Sequence, residues 1–330
     1  MLYPFTFTPV YKETLWGGTG ILPYKGYPEE LRKIGESWEL SHMEHNYSVV
    51  ANGTLAGKTI DALIRDNGER LLGAKVMQQY GHSFPLLIKF IDACDNLSVQ
   101  VHPNDRLAGA RHQSFGKTEM WYVVKAAPDA VLYSGLSQQI DGDEYVRRVE
   151  DGSIMDVLQK HIVKSGDVFF LPAGRIHAIG AGCFIAEIQQ SSNITYRIYD
   201  FHRRDANGYE RELHTELAKE AIDYTVCPNY QTHYVSTENE AALLVQCPYF
   251  TTNLLHLNQT KQRDFSSFDS FIIYICMEGK AVLKDNKGNM LSVQQGQTIL
   301  IPAETEYLTV DPESSVRFLE TYIAPFILPD

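Results

Sequence analysis

The chain has 330 residues, 44% hydrophobic and 21% charged, an ordinary globular composition with room for one large domain or two of common size. Its net charge of −12 argues against nucleic-acid and anionic-membrane partners, which need a basic face, yet allows a small phosphorylated ligand held by a local pair of cations. Cys94, Cys183, Cys227, Cys247 and Cys276 are odd in number, widely spaced and without a Cys-x-x-Cys pair, so they read as free thiols of a cytoplasmic protein.

No signal-peptide pattern opens the chain, and no apolar run approaches the ~20 residues of a membrane span. Residues 59–80 carry an amphipathic helical period, broken near Asn67-Gly68. Strand-like runs follow at 84–91, 97–101, 120–124 and 130–133. A helix is expected over 144–160, a strand at 168–171 and a further helix over 210–224. The last third reads as strands at 271–277, 281–283, 298–301 and 316–321.

An internal echo organises these elements. Gly166-x5-Pro172 returns as Gly296-x5-Pro302 at an offset of 130, and Ala130-Val131-Leu132 resembles Ala281-Val282-Leu283 at an offset of 151. The difference of 21 residues predicts an insertion in the first copy, where the 144–160 helix falls. Two related β-units are implied, at 1–235 and 236–330. In the second, Glu304 and Tyr307 stand where the first has Gly174 and His177, so a metal site is expected in the first alone.

The chemistry concentrates in three places. Leu97 to Val101 alternates with period two and continues into His102, which sends Ser98, Gln100 and His102 to one face of a strand. An amide oxygen and an imidazole two residues apart on that face can chelate one ion. Lys117-Thr118-Glu119-Met120-Trp121-Tyr122 offers a carboxylate on the same alternation, and His177 follows a tight turn at Pro172 to Gly174. His102 alone reads as an ordinary polar strand residue; joined to Gln100, Glu119 and His177, it reads as a ligand. Two nitrogens and two oxygens without sulfur suit an open, catalytic zinc site rather than a closed structural one.

Gly166-x5-Pro172-x-Gly174-x2-His177 resembles the second motif of cupin barrels, with Ala181 in place of the motif's trailing Asn. More specifically, the chain resembles the type I phosphomannose isomerases. The stretches that carry this are Leu15-Trp16-Gly17-Gly18, Gly35-Glu36-Ser37-Trp38-Glu39, residues 97–105, Lys117 to Tyr122, Pro172 to His177 and Thr195 to Asp200. The resemblance implies a mainly β fold: two cupin-type jelly-roll barrels in tandem, with helical segments inserted in and around the first. It implies one zinc ion per chain on Gln100, His102, Glu119 and His177, and an active-site arginine at Arg197. The implied activity interconverts mannose 6-phosphate and fructose 6-phosphate.

Lys117 shares the strand face of Glu119 and joins Arg197 as a candidate catalytic residue, for phosphate binding or proton transfer. Trp16 and Trp38 are assigned to packing, and Arg203-Arg204 to solvent, although that pair lies close enough to Arg197 in sequence to merit a test. Two other classes compete with the isomerase: a sugar-binding or regulatory cupin without turnover, and a cupin oxygenase. The oxygenase is disfavoured because Gln100 replaces the first His of its usual His-x-His and Glu119 is distant.

Overall fold

The computed structural model describes residues 2–28, 32–204 and 207–324, and the chain is mainly β. A seven-stranded antiparallel sheet runs in the order Gln231–Thr232, Val168–Leu171, Glu119–Ala126, Cys183–Gln190, Leu86–Ala93, Glu36–Leu40, Val10–Lys12. A five-stranded sheet faces it, in the order Leu158–Ile162, Val131–Leu136, His177–Ile179, Val99–Val101, Tyr196–Tyr199. Between them Trp121 and Ile91 from the first sheet pack with Leu132 and Ile179 from the second, all buried. The alternation holds over Val99–Val101, whereas Leu97, before the strand, packs in the inter-sheet core instead. Val99 and Val101 pack outward against Tyr145 and Ala218 of the covering helices, and Gln100 is left on the opposite face.

A third sheet of nine strands holds the C-terminal portion. Its long strands Ile272–Asp285 and Tyr307–Tyr322 pair with register shifts at Cys276/Glu278 and Gly279/Ala281. Such irregularities bend a strand, and here each long strand serves two regions of the sheet. Phe5–Thr8, from the other end of the chain, pairs with Thr298–Ile301. A shared core of Phe5, Leu86, Phe90, Phe271, Ile273 and Leu319 joins this sheet to the seven-stranded one.

The sequence echo has counterparts in the backbone. Gly166 and Gly296 take φ of +90° and +82°, a left-handed conformation that costs glycine little. Arg175 and Thr305 each donate an N–H to the carbonyl of Pro172 and Pro302, at 3.0 Å in both turns. Register matches as well: Trp121 lies between Phe169 and Glu187, and Tyr274 lies between Ile299 and Glu320.

The helices differ in extent from the periodicity. The 59–80 segment is Ile60–Asn67, Glu69–Leu72 and Ala74–Tyr80, interrupted by Gly68 and Gly73 at positive φ. The expected 144–160 helix is only Gly142–Glu150. Gly152 at φ +77° stops it, and residues 158–162 instead form an edge strand on Val131–Leu136. The 210–224 helix shrinks to Thr215–Ala221, because Arg211 turns away to bind the Asp200 carboxylate. A helix at Asp105–His112 was not expected; the Asn104 side chain caps it by accepting from Leu107 N–H at 3.0 Å.

Candidate metal centre

A single transverse row on the five-stranded sheet sets one half of the site. Ser134 lies opposite His177, His177 opposite Gln100, and Gln100 opposite Arg197. Directly opposed residues of antiparallel strands share a face, so His177, Gln100 and Arg197 project the same way. The turn before His177 is tied to the neighbouring ligand segment: Gly174, at φ +91°, donates its N–H to the His102 carbonyl at 2.9 Å. Glu119 comes from the facing sheet, where it opposes Leu171 and Gln189.

These groups converge. Glu119 Oε1 is 3.3 Å from His177 Nε2, and Glu119 Oε2 is 3.5 Å from His102 Nε2. The ligand atoms of His102, Glu119 and His177 lie within 4.8 Å of one another, and all three residues are buried. Each imidazole is fixed from behind: His102 Nδ1 is 2.9 Å from the Ile194 carbonyl and His177 Nδ1 is 2.8 Å from that of Arg175. Those contacts assign the proton to Nδ1 and leave each Nε2 lone pair aimed inward. The Gln100 amide meets His177 Nε2 at 3.3 Å, through its nitrogen. Rotating the amide by half a turn exchanges its nitrogen for its oxygen, a metal-ligating donor.

Electrostatics suit a cation. Burial pushes both histidines down, His177 to about 4 and His102 well below its ordinary value, so both are neutral ligands at pH 7. Burial first, and the nearby Glu187 charge second, push Glu119 up to about 7. Both Glu119 oxygens are buried without a hydrogen bond of good geometry, an arrangement proteins avoid unless something else completes it. The Lys117 ammonium stands at the converging lone pairs, 3.1 Å from His102 Nε2 and 3.2 Å from Glu119 Oε2. It acts as a stand-in positive charge. The donor set fits a divalent ion.

Arg197 donates from its Nη1 to the Glu212 carbonyl at 2.9 Å, while its Nε is buried without an acceptor. Its backbone N–H is held by His214 Nδ1 at 2.9 Å. Trp16 is buried with Ile91, Leu97 and Trp121, and Trp38 spends its indole N–H on Glu36 at 2.6 Å.

Two buried charges escaped the sequence reading. Lys89 and Glu187 are paired at 3.1 Å in the seven-stranded sheet, in the same face row as Trp121, whose indole N–H donates to Glu187 at 2.9 Å. Burial pushes the Glu187 carboxyl up, but Lys89 and Lys117 outweigh it and hold it at about 2. The signal was available: each is the lone charge of its sign within an apolar strand, Leu-Leu-Ile-Lys-Phe-Ile and Cys-Phe-Ile-Ala-Glu-Ile. Residues of this kind are rarely buried unless paired.

Facing β-sheets thus bring two imidazoles and a carboxylate, with an amide beside them, to one buried point able to hold a metal ion. Residues 5–122 match the model of the phosphomannose isomerase type I catalytic domain, and residues 240–319 match the mannose-6-phosphate isomerase cupin domain. Two Bacillus subtilis proteins are similar along most of the chain. The probable mannose-6-phosphate isomerase GmuF is 34% identical over 314 residues, covering 94% of this chain and 97% of its own. Mannose-6-phosphate isomerase ManA is 35% identical over 308 residues, covering 92% and 89%. The crystal structure of the mannose 6-phosphate isomerase from Bacillus subtilis superposes with a TM-score of 0.85 at 30% identity, over 96% of this chain and 99% of that one. The chain belongs to the type I phosphomannose isomerase family.

Proposed function

We propose that this protein is a zinc-dependent aldose–ketose isomerase that interconverts mannose 6-phosphate and fructose 6-phosphate through an enediolate. The observation that carries this reading is the meeting of His102, Glu119 and His177 around a buried point where the carboxylate oxygens make no hydrogen bond of good geometry. Gln100, His102, Glu119 and His177 would hold the ion. When bound, a divalent cation polarises sugar oxygens and stabilises negative charge that develops on them.

The chain's own residues supply the rest. Arg197, in register with Gln100, presents a guanidinium with an unfilled Nε donor on the ligand face, suited to a charge-assisted hydrogen bond with an enediolate oxygen. Lys117, buried at the ligand cluster, holds its protons at Nζ within reach of the reacting end of the sugar. Trp121 packs edge-on against the His177 ring at 5.2 Å and keeps water from that side. Lys89 and Glu187 fix the field beneath Glu119.

We read the architecture as two cupin-type jelly-roll barrels, 1–235 and 236–330, with the ion in the first. The matching glycine turns and strand registers support this. No helix among the described residues is long and apolar enough to cross a membrane, and the proposed site of action is the cytoplasm.

The test is a coupled assay with mannose 6-phosphate on the purified protein, before and after chelation and with zinc added back. Activity lost on chelation and restored by zinc supports the reading. A zinc-loaded protein that leaves mannose 6-phosphate unchanged overturns it.

A further inference from the structure

Gly35 to Glu39 lead into a strand whose two faces serve different ends. Trp38 opposes Lys89 in the row that runs through Glu187 to Trp121, on the metal side of the seven-stranded sheet. Ser37 opposes Phe90 on the other side, where the core shared with the nine-stranded sheet lies. The register then shifts between Trp38 and Leu40, so Glu39 is the extra residue of a bulge, a device that re-aims a side chain. Its carboxylate accepts from Ser37 Oγ and pairs with the Lys25 ammonium at 2.7 Å, and both charged residues are buried. Lys25 also donates to the Gly296 carbonyl, in the glycine turn of the nine-stranded sheet. The metal centre makes no use of this pair, which stands on the opposite face from the ligands.

The pair forms part of the wall of a cavity of about 280 Å³. Residues 6–9 of the N-terminal segment, the Lys25–Glu39 pair and the turn at 294–298 enclose it, so two sheets contribute. The walls are fixed. A Cβ on Gly296 would lie 2.9 Å from Lys25 Cγ, so glycine, at φ +82°, lets the turn seat this closely. Gln297 Oε1 accepts from the Gln294 N–H at 2.9 Å. Within these walls Thr298 is 4% exposed, and its hydroxyl has no hydrogen-bond partner among the described residues. Proteins rarely leave a buried hydroxyl unpaired, because it loses hydration and regains no bond. Thr298 opens the strand Thr298–Ile301, where a valine would pack as well without that cost.

The lining selects a ligand by its charge balance. Its two charged groups, Lys25 and Glu39, neutralise each other, so a charged ligand gains no net attraction. What remains on offer is a mixed set of donors and acceptors, the Thr298 hydroxyl, the Gln294 amide and the Glu39 carboxylate, beside the rings of Phe7 and Tyr27. A sugar hydroxyl both donates and accepts, and the C–H face of a sugar packs on an aromatic ring. The volume lies just below the usual range of ~300–1,000 Å³ for ligand pockets, a size for one monosaccharide rather than a chain of them.

We propose that this cavity is a non-catalytic site, apart from the metal centre, for a neutral polyhydroxylated ligand: an unphosphorylated hexose or hexitol that bridges the two sheets. The Thr298 hydroxyl completes its hydrogen bonding on a ligand oxygen, Gln294 and Glu39 take neighbouring hydroxyls, and Tyr27 covers the apolar face. The site needs neither the ion nor a phosphate, so it stands independently of the isomerase reading.

The test is a ligand-observed NMR titration of the full-length, metal-loaded protein with D-mannose and, separately, with D-mannitol. A ligand of about a dozen non-hydrogen atoms binds here with a Kd on the order of 1 mM. Thr298→Val weakens that binding about tenfold. It leaves stability in urea equal or higher, because the hydroxyl removed has no partner, so lost binding is not a folding defect. Tyr27→Ala, at a residue 53% exposed, weakens binding about fivefold with the fold intact. Arg197→Ala, at the metal centre, leaves it within about twofold. Binding of mannose alone supports the site with a ring ligand, and binding of mannitol alone supports it with an open-chain one. Binding unchanged in Thr298→Val, or lost in Arg197→Ala and kept in Thr298→Val, overturns the proposal. So does the absence of binding of both compounds at about 50 mM.

Discussion

Replacing Glu119 by glutamine separates two roles that usually move together. In the metal-free protein the Glu119 carboxyl is wholly buried and pushed up to about 7 from 4.5, chiefly by desolvation. A carboxyl whose pKa is raised by folding weakens the fold wherever the unfolded chain would be ionised, and the penalty vanishes below the unfolded pKa, where both states are protonated. Linkage then gives a penalty of about 3 kcal/mol at pH 7 and about 1 kcal/mol at pH 5.

Glutamine keeps the shape and removes the charge, so chelator-treated Glu119→Gln should be more stable than the parent by up to those amounts. Its affinity for zinc should fall by more than the ~10–100-fold typical of outer-shell changes. Urea denaturation of both metal-free proteins at the two pH values, with metal analysis of the loaded forms, makes the comparison. A metal-free variant less stable than the parent at pH 7 would refute the reasoning, since it would mean that Lys117 already satisfies the carboxylate.

Three further outcomes are expected. Arg197→Ala lowers kcat by about 10²–10³-fold with zinc content unchanged by metal analysis; unchanged turnover would leave Arg197 a structural residue. Glu304→Ala costs about 1–2 kcal/mol in chemical denaturation without loss of metal, because Glu304 binds Arg70, Lys287 and the Leu2 N–H far from the ligands. Burial raises that carboxyl, but Arg70 and Lys287 outweigh it and hold it at about 2, so the Glu304 contribution is present above pH ~4.5 and fades as pH falls toward 2. Gly174→Ala places a Cβ 3.0 Å from the Ala221 carbonyl at φ +91° and costs about 1–2 kcal/mol. It also weakens zinc binding, measured by competition with a chromogenic chelator, because the same turn carries His177.

The alternation at Gln100 and His102 and the glycine–proline turn before His177 made these candidate ligands legible in the sequence, since each depends on local geometry alone. What was not legible depended on partners distant in the chain. Residues 158–162 continue an amphipathic pattern, but their pairing with Val131–Leu136 turns them into a strand. Lys89 and Glu187 each stand out as a charge in an apolar strand, but only the register shows them to be partners. Arg203 was assigned to solvent with Arg204 because its tie to Arg211 appears only through Asp200. Local chemistry was readable; cross-strand register was not.

The row from Ser134 through His177 and Gln100 to Arg197 also governs when the centre can load. Gln100 and His177 are 77 residues apart in sequence, and Glu119 arrives from a different sheet. Of the four candidate ligands, an unfolded chain therefore offers only Gln100 and His102 as near neighbours. Uptake must follow completion of the fold, and each loaded molecule gains protection against unfolding that grows with the logarithm of free metal. Slippage of Val99–Val101 by one residue would turn Gln100 away and present a valine, so a misregistered molecule stays empty. Metal occupancy is then a readout of correct folding.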